Sequence, residues 1–197
     1  MRALLVIVLG LWTALASSAT SDESIRVLMV TERGEIELSL DAARAPATVA
    51  NFLRYVDREF YHGGVFHRTV TPENQPHNLV KIEVIQGGIN PDWEDDDGPE
   101  ISLERTRNTA LRHLDGTISM ARLGPDTATS DFFICVNNQP SLDFGGPRNP
   151  DGQGFAAFGQ VTRGMDVVRA IQAAPHEAQS LAPPIKILRV RRLPFAE

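Results

Sequence analysis

The chain has 197 residues, with 19 Lys and Arg against 25 Asp and Glu and a formal net charge of −6. That acidic balance argues against a nucleic-acid partner, because phosphate binding needs clustered basic side chains. The single cysteine, Cys135, excludes an internal disulfide, so the fold must stand on its apolar core.

The chain opens with MRALLVIVLGLWTALASSAT, which sets Arg2 before an apolar run from Ala3 to Trp12 and then small residues around Ala16 and Ala19. This is the layout of a secretory signal peptide, and the run is too short to span a bilayer. Residues 1–19 are therefore expected to be removed, leaving one exported domain over 20–197 without stable membrane insertion. Loss of Arg2 would take the formal charge from −6 to −7.

IRVLMVTERGEIELSL (25–40) is two strand-like runs joined through Glu32, Arg33 and Gly34, which predicts a hairpin. In RAPATVANFLRYVDREF (44–60) the period changes. Val49, Phe52, Leu53 and Val56 recur at helical spacing behind Pro46, which suits a first helical turn. Further strands are expected at 65–70, 82–86, 116–121, 132–136 and 155–161. GMDVVRAIQAA (164–174) predicts a second, shorter helix, and IKILRVRRLP (185–194) a closing strand whose alternation is imperfect. DFGGPRNPDGQG (143–154) can neither coil nor pair, so it reads as a long surface loop. Many short strands with two helices predict a mainly β domain, an antiparallel barrel or sandwich.

Familiar chemistries fall away in turn. The five histidines, His62, His67, His77, His113 and His176, show no ligand spacing, so no metal is expected. The acidic run DWEDDDGPE (92–100) lacks the alternating ligands of a calcium loop. No nucleophile elbow, phosphate loop or dinucleotide fingerprint is present, so no cofactor is expected. Cys135, inside DFFICVNN, reads as a buried small hydrophobe. What remains is apolar strands carrying isolated polar residues. In VFHRTV (65–70) a period of two puts Phe66 and Arg68 on one face and His67 on the other. Two readings of Arg68 stand at this point: a surface arginine with a packed stem, or a fixed donor aimed into an apolar pocket.

Five segments together resemble one family. FHR (66–68), IQGG (85–88), GTISMAR (116–122), SDFFICVN (130–137) and FAAFGQV (155–161) stand in the order found in cyclophilins, and the likeness runs from about Ile25 to Pro194. The resemblance is to a bacterial, exported cyclophilin-type peptidyl-prolyl cis–trans isomerase. It implies a closed eight-stranded antiparallel β-barrel capped by two α-helices. It also implies a periplasmic, monomeric enzyme acting on proline-containing segments of unfolded exported proteins. A second reading is a proline-peptide-binding chaperone or scaffold of the same fold with little catalysis.

The resemblance gives Arg68 the role of donor to the twisted X–Pro amide, with Gln86 orienting it and Phe133 flooring the proline pocket. These three are the expected catalytic residues. Phe66, His67, Ala121, Leu142 and Phe155 are expected around the bound peptide. The chain also departs from the family pattern. The family's pocket phenylalanine and methionine fall at Glu83 and Val84, its tryptophan at Ser141 and its pocket histidine at Phe155. A glutamine becomes Asp131, a small residue becomes Leu123, and an insertion stands around ENQPHNLVKI (73–82). Phe155 can refill the space of the histidine, whereas Glu83 has no evident substitute.

Overall fold

Residues 24–194 are described by a computed structural model. The expected signal segment lies outside them. The first hairpin pairs β1 (Ile25–Thr31) with β2 (Gly34–Leu40) across Glu32 and Arg33. Gly34 follows that turn with φ +134°, and a Cβ there would come within 2.8 Å of Val167. The chain continues through α1 (Pro46–Asp57), β3 (Val65–Val70), β4 (Val84–Gly88), α2 (Thr106–Thr109), β5 (Thr117–Met120) and β6 (Phe132–Cys135). It ends with β7 (Ala156–Arg163), α3 (Met165–Gln172), β8 (His176–Glu177) and β9 (Ser180–Arg192).

The strands are hydrogen-bonded in the order β1-β2-β7-β5-β6-β4-β3-β9, and β9 pairs back onto β1. Every pairing is antiparallel, so eight strands close into a barrel and leave no edge among themselves. The short β8 lies outside this ring, paired only to the start of β9. The expected architecture is therefore present, with one correction to the helices. Among the described residues there are three α-helices, because α2 adds a single turn whose Thr106 and Thr109 are buried. Four residues are too few for periodicity to reveal a helix.

Inward residues fill the barrel. Met29, Ile36, Leu38, Phe66, Ile85, Ile118, Phe132 and Phe158 are all 0–1 % exposed, so the interior is a packed core and not a channel. Burying each such large side chain contributes roughly 1.5–3 kcal/mol. Helix α1 inserts Phe52 into this core, 5.8 Å from the Phe132 ring and 5.3 Å from Phe158. No side chain of its N-cap residue, Ala45, satisfies the first turn. Glu104 does so from a distant loop, its carboxylate accepting from Ala47 N, Thr48 N and Thr48 Oγ1. An anion at a helix N-terminus is favoured by the exposed amides and the helix dipole. Helix α3 lays Val168 and Ile171 against the same core.

The closing strand begins five residues earlier than its sequence suggests. Its imperfect alternation has a structural cause: pairing shifts between Val30 and Thr31, which face Arg189 and Ile187, leaving Leu188 over and half exposed. An extra residue of this kind bends the strand and resets its faces.

Candidate active site

Strands β4 and β6 have a second apolar surface outside the barrel. On β6, Phe132 and Ile134 point inward, whereas Phe133 and Cys135 point outward. On β4, Ile85 is in the core while Val84 packs outward with Phe133. Val70, Ile82, Val84, Phe133, Cys135 and Leu142 make a small cluster of their own, with Ala121 and Phe155 packed against it. A cavity of about 270 Å³ opens on this surface, lined by Arg68, Gln86, Ile82, Val84, Ala121, Phe133, Leu142 and Phe155 among others.

A β-bulge decides which side Arg68 faces. Phe66 pairs with Gly87 and Arg68 with Gln86, so β3 spends two residues where β4 spends one, and His67 is the extra residue. The expectation that Phe66 and Arg68 share a face is therefore wrong. Phe66 is fully buried in the barrel, edge-on to Phe132 at 5.7 Å, while Arg68 lines the outer groove. Bulges re-aim side chains in this way, and uninterrupted alternation could not have predicted it. Gly87 permits the crossing, since a Cβ there would lie 3.0 Å from the Phe66 ring. A Cβ on the neighbouring Gly88 would collide with the Asp131 carboxylate.

Six of the eight site residues expected from sequence, Arg68 included, line one groove, and the other two stand outside it. Gln86, Ala121, Phe133, Leu142 and Phe155 line the cavity with Arg68. Phe66 supports the groove from inside the barrel and does not line it. His67 faces an adjoining hollow with Asp131, Glu94 and Asp97.

Arg68 is half-buried and held on both sides by neutral amides. Its NH1 donates to Gln86 Oε1 at 2.9 Å, and its Nε and NH2 donate to Gln179 Oε1 at 3.0 and 2.6 Å. Each glutamine is turned by a further acceptor: Gln86 Nε2 donates to Asp131 Oδ2 at 3.0 Å and Gln179 Nε2 to Asn74 O at 3.2 Å. Three of the five guanidinium donors are thus committed, and two remain for a ligand. Burial, reinforced by the nearby Arg148 guanidinium, pulls Arg68 below its ordinary pKa. Burial also raises the Asp131 carboxyl, against the opposing hydrogen bond from Gln86 and the attraction of His67, whose Nε2 lies 3.6 Å away.

The floor is aromatic and buttressed. Phe155 stands edge-on to Phe133 at 5.3 Å, at the position that the resemblance gives to the family's pocket histidine. Beneath, the fully buried His113 stacks on Phe133 at 5.9 Å. Its Nδ1 is 2.8 Å from Asp143 Oδ1 and its Nε2 3.0 Å from Ser119 Oγ. Glu83 turns away, its carboxylate accepting from Asn137. The substitute that sequence could not name is the adjacent Ile82, delivered by the inserted segment and only 7 % exposed. The buried Gln75 pins that segment, donating to Thr71 O and Ile82 O and accepting from Ile82 N. Burial pushes the Cys135 thiol well above its usual range, so it packs and does not react.

Gln179, Ile82, His113 and Arg148 escaped the sequence reading. Gln179 sits in the turn between β8 and β9, 111 residues from Arg68, and carries no local signal. In the sequence His113 is one of five histidines without ligand spacing. A fully buried histidine two residues beyond an apolar leucine has no pattern that distinguishes it from a surface one.

Comparison with known proteins bears directly on this arrangement. The family model "Cyclophilin type peptidyl-prolyl cis-trans isomerase/CLD" matches residues 26–192. Peptidyl-prolyl cis-trans isomerase A of Dickeya dadantii is 38 % identical over 177 residues, which cover 89 % of this chain and 85 % of that one. Peptidyl-prolyl cis-trans isomerase B of Escherichia coli is 34 % identical over 143 residues, covering 72 % of this chain and 80 % of that one. Among solved structures, a Cryptosporidium parvum cyclophilin-type isomerase superposes with a TM-score of 0.70. At 21 % identity it covers 88 % of this chain and 99 % of its own, and it supports the fold.

Proposed function

The chain belongs to the cyclophilin-type peptidyl-prolyl cis–trans isomerase family, and we propose that it works outside the cytoplasm, as a monomer, on proline-containing segments of exported proteins. It accelerates rotation about X–Pro bonds. The proposal of export rests on the signal-peptide layout of residues 1–19.

Rotation about the X–Pro bond must cross a barrier of about 18–20 kcal/mol, and without help it takes tens to hundreds of seconds. At the twisted midpoint, amide resonance is lost and the prolyl nitrogen regains a lone pair. A donor aimed at that nitrogen binds the twisted state more tightly than either planar state, which is the requirement for catalysis. A 10⁵-fold acceleration requires lowering the barrier by about 7 kcal/mol. We assign the donor to Arg68, the catalytic support to Gln86 and the floor of the proline site to Phe133. Ala121, Leu142 and Phe155 are assigned to the walls. Phe66 and His67 are assigned a supporting place behind and beside the groove.

One observation carries this assignment. A permanently charged, planar donor is fixed by Gln86 and Gln179 at the rim of an apolar pocket, with two donors uncommitted. The twisted amide is less polar than the planar one, so apolar walls favour it further. No covalent intermediate and no electron transfer is needed. The direct test is magnetisation-exchange NMR on a short Ala-Pro peptide, with and without the purified protein. Cis–trans exchange should become measurable only when protein is present. Binding without exchange would favour the peptide-binding scaffold instead. Intact mass of protein recovered from the periplasm tests export, since a chain beginning after Ala16 or Ala19 is expected there and one retaining Met1 to Trp12 would contradict it.

A further inference from the structure

The groove contains a cation that the isomerase mechanism does not use. Arg148, from the loop 143–154, lines the same cavity as Arg68, together with Asn149. Its backbone N donates to Ser141 O, which fixes it beside Leu142 at the position where the family's tryptophan is missing. Its NH1 donates to Val80 O at 2.7 Å, clamping the inserted segment from across the pocket mouth. The remaining guanidinium donors of Arg148 are not spent on any carboxylate among the described residues.

The charge balance of the groove is one-sided. Among the described residues no Asp or Glu lines it. Arg122, the third arginine there, is neutralised by Asp151 at 2.8 and 3.0 Å and also donates to the Gly154 carbonyl. Arg68 is held by amides alone, and Arg148 by a carbonyl. Both are partly withdrawn from water, and burial lowers the pKa of each. Two half-buried cations that share a cavity and lack a counter-ion are costly, and an anion entering that cavity would relieve the cost. Arg68 must meet the amide itself, which leaves Arg148 free for a neighbouring side chain.

We propose that Arg148 is a specificity-determining residue that selects peptides carrying a carboxylate side chain, Asp or Glu, next to the proline. The proposal rests on the isomerase reading of the groove. The chemistry is recognition of a carboxylate by a guanidinium in a partly desolvated site, stronger than an exposed surface pair and weakened by salt.

The test uses peptides Ala-Ala-Xaa-Pro-Yaa-Ala with Glu, Gln or Lys placed in turn at Xaa or Yaa. Exchange rate and binding are both read by NMR at low salt. At one of the two positions Glu should be preferred over Gln by about three- to tenfold, with Lys disfavoured, and the preference should shrink at high salt. Arg148→Gln should bring the Glu-to-Gln ratio close to one, and Arg148→Glu should reverse it in favour of Lys. Because each readout is a ratio within one protein, a general loss of activity from a loosened loop does not mimic the result. Equal use of Glu and Gln by the parent would overturn the proposal, as would a preference that survives both substitutions. A protein that binds the peptides without exchanging them would defeat the isomerase reading, while the binding ratio would still decide the role of Arg148.

Discussion

Phe132 and Phe133 are adjacent in sequence and belong to different parts of the molecule. Phe132 is at the centre of the barrel, edge-on to Phe52, Tyr61 and Phe66 at 5.5–5.8 Å. Phe133 lies on the outside of the same wall, between His113 behind and Phe155 beside it. One strand therefore carries the stability of the fold on one face and the floor of the groove on the other. Strand β4 does the same with Ile85 and Gln86. The difference between the faces is chemical: the inner one is wholly apolar and closed, whereas the outer one is an apolar patch rimmed by arginines and amides. A function placed on the outer face can change without disturbing the core that supports it.

The sharpest way to break this comparison is to truncate the two rings separately. Phe132→Ala should cost about 3–5 kcal/mol of stability, the range for emptying an aromatic from a closed core, and the melting temperature would report it. Phe133→Ala should cost less, about 3 kcal/mol or below, because one side of the ring already faces a cavity. Its signature should be a rise in KM for a proline peptide in protein that is still folded. Equal losses of stability with no change in KM would show that the outer cluster is merely a second core.

Much of this division is legible in the sequence. Alternation in DFFICV already separates Phe132 and Ile134 from Phe133 and Cys135, and the helical period of α1 marks Phe52 as a core residue. The face of Arg68 was not legible, because the bulge at His67 depends on the pairing of β3 with β4 and not on any residue's own preference. Nor could Gln179 be found, since it reaches Arg68 only after β9 has closed the barrel. Ile82 was hidden for a related reason. It stands one residue before the family position at Glu83, and only the fold of the inserted segment brings it over the pocket.

Gln179 sharpens the account of the outer face. Gln179→Ala should release one side of the guanidinium and lower kcat by about three- to tenfold, the equivalent of one hydrogen bond to a charged group. KM and melting temperature should change little. A fall in melting temperature with kcat unaltered would make Gln179 a structural clamp and not a positioning residue.

The smallest effect is expected at Asp131, on the boundary between groove and hollow. Its folded carboxyl has a raised pKa, chiefly through burial. Its ionised form therefore costs stability at neutral pH, and that cost disappears as pH falls below the carboxylate range of the unfolded chain. Asp131→Asn should accordingly melt slightly higher than the parent at pH 7, with the gap closing on acidification. A variant that melts lower at pH 7 would mean that the contacts with Gln86 and His67 outweigh the burial.

The central claim is that the outer face does its work through the guanidinium of Arg68. The most direct measurement is magnetisation-exchange NMR on a saturating proline peptide with Arg68→Ala, run beside a melting curve. Its charge is disfavoured by its surroundings, so the melting temperature should be nearly that of the parent. The exchange rate should fall about 30- to 1000-fold, and Arg68→Lys should recover little because an ammonium lacks the rigid fork. An Arg68→Ala protein that exchanges the peptide as fast as the parent would contradict the account.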